Sequence, residues 1–67
     1  MKIHFDEKSD AIYIRLDKNK EVAESQEIKD GIVFDFDEGG EVVGIEILKV
    51  KKRIPIEELK ELTLQVV

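Results

Sequence analysis

No cysteine occurs in this 67-residue chain. That excludes a disulfide framework and a thiolate metal site. A single histidine, His4, excludes the paired-histidine patterns of zinc enzymes. Tryptophan is absent, and aromatics make up only 6% of residues. Unbroken apolar runs are a few residues at most, far short of the roughly 20 a membrane-spanning helix needs. The opening "MKIHFD" mixes charge with apolar residues, unlike a secretory signal. A cytoplasmic location is expected, with no membrane partner. Phosphate-cradling motifs of the G-x-G-x-x-G or G-K-[ST] kind are missing.

Charge and branched aliphatics dominate what is present. Forty per cent of residues are charged, with a net charge of −5. Rich in Lys and Glu and poor in Asn, Met and Cys, the chain resembles heat-adapted proteins in composition. Lys49, Lys51, Lys52 and Arg53 hold four of the eleven positive charges, leaving seven against sixteen negatives elsewhere. An acidic body of this kind does not track a phosphate backbone, so nucleic acid is not an expected partner. The basic run reads as a solvated strand end and linker. At this length one domain, residues 1–67, is expected, and such a chain buries only about 60% of the surface its unfolded form exposes. Nine Ile, seven Val, five Leu and three Phe are available to be buried. A second copy that covers an apolar face would strengthen so small a core, and a homodimer or a small protein partner is expected.

Period two runs along most of the chain. "KIHFD" places Ile3 and Phe5 on one face, and "AIYIRL" does the same for Ile12, Ile14 and Leu16. These read as strands at about 2–6 and 11–16. Residues 22–28 are a weaker strand candidate. After the turn dipeptide Asp30-Gly31, strands follow at about 31–37 and 41–50. The second of these carries apolar residues on both sides, which suits a central position or one covered by a partner. Pro55 fits the first position of a helix at about 55–62, with Glu57 and Glu58 in its first turn. The predicted fold is α+β: an antiparallel four- to five-stranded β-meander with one C-terminal helix. That helix is expected to cover the Ile3/Phe5/Ile12/Ile14/Phe34/Phe36 face. The tail from Thr63 has no clear assignment.

The sequence also places Tyr13, Arg15, Val33, Asp35 and Leu48 on the opposite, open face. Tyr13, Arg15, Val33, Leu48 and Val50 are the expected interaction surface. "DFDEGGEVVGIE" is the nearest approach to a chemical motif. Asp35, Asp37, Gly40 and Glu46 match positions 1, 3, 6 and 12 of a calcium loop, but position 5 is Gly39. Helices should flank such a loop, and here both flanks have strand periodicity. Glu38-Gly39-Gly40 is therefore read as a hairpin loop, with Gly31, Gly39 and Gly40 as turn glycines. Asp35 and Asp37, two apart on a strand, are expected to face water together. A metal or acid–base role for Asp35, Asp37, Glu46 or His4 is the alternative. No cofactor and no catalytic residue is assigned, and a non-enzymatic interaction module is preferred to an enzyme.

Two stretches resemble a known family. "FDEKSDAIYIRL" (Phe5 to Leu16) and "DGIVFDFDEGGEVVGIEIL" (Asp30 to Leu48) are similar to the two signatures of the Domain of Unknown Function 2283 family, the YuzE-like small prokaryotic proteins. The resemblance implies a small β-rich domain with a C-terminal helix and no assigned activity. For members that look like one half of a two-gene pair, it implies an antitoxin-like role.

Overall fold

A computed structural model of the chain describes residues 1–66. Five strands form one antiparallel sheet: β1 (Lys2–Asp6), β2 (Ala11–Arg15), β3 (Glu24–Lys29), β4 (Ile32–Phe36) and β5 (Val42–Leu48). Two short helices follow, α1 (Val50–Arg53) and α2 (Ile56–Lys60). The α+β class and the antiparallel sheet agree with the sequence reading, and residues 24–29 of the weak candidate do form a strand.

The strand order is β1-β2-β5-β4-β3. Hairpins join β1 to β2, β3 to β4 and β4 to β5, so each half runs as a meander. The halves meet through β2 and β5, and residues 16–23 carry the chain past the ends of β5 and β4 to the far edge. Local polar groups hold this crossing in place. Asp17 Oδ1 accepts the Asn19 N–H at 2.9 Å, Arg15 donates to the Lys20 carbonyl, and the Ala23 N–H reaches Phe36 O at 2.8 Å. β3 is exposed along its whole length and polar but for Ile28, as suits a sheet edge that must not recruit another strand.

The glycine turns behave differently from one another. Gly31 has φ +76° and Gly40 φ +85°, conformations that a side chain resists. Gly39 is not in that region, so the turn does not demand a glycine there. Asp37 organises this hairpin: its N–H and Glu41 O are paired at 3.0 Å, and its Oδ1 accepts the Glu41 N–H at 2.9 Å. The register then slips by one residue. Phe36 faces Val42, but Asp35 faces Gly44, which leaves Val43 as the extra residue of a bulge. Beyond it, Phe34 pairs with Ile45 and Ile32 with Ile47, while Val33 opposes Glu46.

β5 ends two residues earlier than the expected 41–50. Ala11 and Leu48 are the last pair of the β2–β5 ladder, so no strand neighbour remains beyond them. Lys49 turns into the left-handed region (φ 53°), and α1 begins. Asp10 receives it: the Val50 N–H donates to Asp10 O at 3.0 Å and the Lys51 N–H to Asp10 Oδ1 at 3.1 Å. Arg53 closes the other side, its Nε donating to Leu48 O at 2.9 Å and its terminal nitrogen to Asp30 O. The basic run is thus not a free linker. Its arginine ties the helix to the β3–β4 turn. Val50, expected on an interaction surface, is fully buried here.

The helical part also departs from a single helix at 55–62. Ile54 is extended and breaks the run, Pro55 caps α2 rather than opening it, and α2 stops at Lys60. Residues 62–66 form neither helix nor strand; Val67 lies outside the described residues.

Candidate functional site

The ladders define two faces. On the helix side lie Ile3, Phe5, Ile12, Ile14, Ile45, Ile47, Ile32 and Phe34. On the other side, two rows of polar residues cross the sheet. One reads His4, Tyr13, Glu46, Val33, Glu27; the next reads Lys2, Arg15, Gly44, Asp35, Ser25.

Asp35 is the most buried acid, 9% exposed in the second row. Its neighbours make this possible. The Ser25 hydroxyl donates to Asp35 Oδ1 at 2.6 Å. Gly44, directly opposite, leaves space for the carboxylate. A Cβ at Gly44 would lie 3.0 Å from Asp35 Oδ2 and 3.2 Å from Ile14 O. The expectation that Asp35 and Asp37 share a solvated face is therefore corrected. Asp35 is tucked into the sheet, while Asp37 lies past the strand end, bound to the hairpin and 3.8 Å from Lys20 Nζ.

Glu46 sits diagonally from Asp35 on the same face. Partial burial, a hydrogen bond with Asp35 and the repulsion of its charge raise the Glu46 carboxyl from 4.5 to about 7. Near neutrality the Glu46 carboxyl therefore retains its proton far more readily than an ordinary glutamate does. Positions 1 and 12 of the apparent calcium loop do meet, but as neighbouring carboxyl groups on adjacent strands rather than around an ion. Among the described residues no three metal-ligating side chains converge. His4 lies two strands from Glu46, about 10 Å at the usual strand spacing, and is exposed. Tyr13 between them is 37% exposed. Arg15, Val33 and Leu48 are half-buried. Among the described residues Arg15 Nε is buried without an acceptor.

The helix side holds an apolar groove. α2 stands off the sheet and leaves a groove of about 450 Å³, walled by Ile3, Phe5, Ile12, Ile14 and Ile47 below and by Leu59 and Leu62 above. The groove does not extend to Phe34 and Phe36, which pack edge to face with ring centroids 6.4 Å apart. Among the described residues only Ala11, Val43 and Val50 form a buried apolar core. The sequence reading missed this groove because it supposed a helix long enough to seal the face. Ser25 was missed as well, since only the β3–β4 register brings it to Asp35.

Fold and surface together define a small antiparallel sheet domain with one polar, carboxylate-bearing face and one apolar face that its own helices leave open. Residues 2–51 match the family model described as protein of unknown function (DUF2283), and the chain belongs to that family. No curated protein and no solved structure matches it. The match spans the whole sheet and ends inside α1, so α2 and the residues after it lie beyond the matched segment. No helix among the described residues is long and apolar enough to cross a membrane.

Proposed function

We propose that this protein is a non-enzymatic interaction module that works as a homodimer, associating through the apolar, helix-side face of its sheet. The observation that carries this reading is the surface left uncovered. The chain exposes 5583 Å² at a mass of 7.7 kDa. A compact monomer of that mass exposes about 4,300 Å² by the usual scaling. The excess, about 1,250 Å², exceeds the roughly 800 Å² per partner of a standard interface. Ile3 at 47%, Ile56 at 52% and Leu62 at 73% exposure lie on or beside the groove, and contiguous apolar surface of this kind marks an association site.

The polar face supports the enzymatic alternative less well. Its Asp35/Glu46 pair lies on an open sheet, Asp37 is engaged in the hairpin, and His4 is too distant to act with them. An antitoxin-like partnership, suggested by family resemblance, would use the same apolar face on a different protein.

Sedimentation equilibrium at micromolar concentration tests the proposal. The expected species has twice the 7.7 kDa chain mass. A monomer throughout the range, with Ile12→Asp leaving its hydrodynamic behaviour unchanged, overturns it.

A further inference from the structure

The residues after α2 suggest what fills the groove. Leu62, Leu64 and Val66 are 73%, 81% and 87% exposed, although all are large and apolar. They alternate with Glu61, Thr63 and Gln65. On extended backbone such a pattern puts all three apolar side chains on one side. Leu62 also forms part of the groove wall, whereas Leu64 and Val66 do not. An uncovered apolar groove and an uncovered apolar arm therefore lie side by side in one chain, joined at Leu62.

The arm does not fill its own groove, since Leu64 and Val66 stay 81% and 87% exposed, and folding it back would take a reversal of the chain after Leu62. Residues 56–67 contain no Gly, Pro, Asn or Asp, the residues that make such reversals easy. A second copy needs no reversal. In a two-fold pair each arm continues outward from its own groove rim into the partner's groove, so that one contact is made twice. Five residues of extended arm span about 16 Å, a reach suited to crossing between adjacent protomers.

We infer that the protein forms an arm-exchanged dimer, in which residues 62–66 of each chain lie in the Ile3/Phe5/Ile12/Ile14/Ile47 groove of the other. This rests on the reading of the apolar face as a self-association surface, and adds the identity of the occupant.

The arm is exposed, so Leu64→Asp/Val66→Asp leaves the sheet intact, which far-UV circular dichroism verifies. Sedimentation should then show the dimer dissociation constant raised at least about a hundredfold, from the lost burial of two aliphatic side chains per arm. Placement is tested by thiol crosslinking, because the chain has no native cysteine. A tagged Ile3→Cys chain mixed with an untagged Leu64→Cys chain should give a mixed crosslinked species. If the double-aspartate variant dimerises as tightly as the parent, arm exchange is wrong while self-association stands. If the parent is a monomer, both fail. A crosslink found only within single chains of an Ile3→Cys/Leu64→Cys variant shows closure in cis and overturns the exchange.

Discussion

Replacing Glu46 by glutamine tests the carboxylate pair directly. In the folded chain the Glu46 carboxyl is raised from 4.5 to about 7, chiefly by burial and then by Asp35. Below pH 4.5 the folded and unfolded forms both hold the proton, and no penalty exists. Between 4.5 and 7 the unfolded chain releases it while the folded chain keeps it, so stability falls as pH rises. Above 7 both forms are ionised and the penalty is complete. At 1.36 kcal/mol per pH unit the gap corresponds to at most about 3 kcal/mol. Solvent over a half-buried group reduces this, and about 1–2 kcal/mol is expected. Glutamine mimics the protonated acid: its amide N–H can still donate to Asp35, and it does not titrate. Glu46→Gln should therefore lie close to the parent at pH 5, where most of the penalty has yet to develop, and clearly exceed it at pH 8. Each kcal/mol moves the melting temperature of a domain this size by about 4–8 °C. Thermal melts from pH 5 to 8, at one fixed protomer concentration because dimerisation also stabilises, provide the measurement. A parent whose melting temperature is flat across that range, or a variant less stable at pH 8, refutes the reasoning.

Two further substitutions probe the supports of the fold. Gly44→Ala places a methyl 3.0 Å from the Asp35 carboxylate and 3.2 Å from the Ile14 carbonyl. Overpacking of this kind costs about 1–3 kcal/mol, and urea midpoints should fall accordingly; Gly44→Ala paired with Asp35→Ala should recover part of the loss. Asp10→Ala removes the carboxylate that accepts the Lys51 N–H and puts alanine at φ 56°. About 1–2 kcal/mol of stability should be lost, whereas Asp10→Asn, which tolerates that conformation, should lose less.

Much of the fold was legible from local pattern. The alternation in 2–6 and 11–16, the turn chemistry at Asp30-Gly31 and the loop Glu38-Gly39-Gly40 all reflect short-range physics: side-chain period and backbone sterics. The carboxylate pair was less legible. A three-residue loop with unbroken pairing back from Asp37–Glu41 would set Asp35 against Val43. The bulge at Val43 moves it to Gly44 and brings Glu46 to the same side. One residue of slip changes which side chains share a face, and nothing in "EVVGIE" announces where the slip occurs. The basic run misled for a similar reason. Its charges suggested solvent, but Arg53 finds the Leu48 and Asp30 carbonyls only after the sheet has assembled.

By itself, the sequence determined an antiparallel sheet with one apolar and one polar face, because alternation and turn residues act over a few positions. It also determined the family, through two signatures within those strands. Tertiary structure alone decided that β2 pairs with β5, that Asp35 is buried beside Ser25 and Glu46, and that α2 is too short to seal the groove. The first two outcomes depend on contacts between residues ten or more positions apart, where the balance is set by space and desolvation rather than by any local preference.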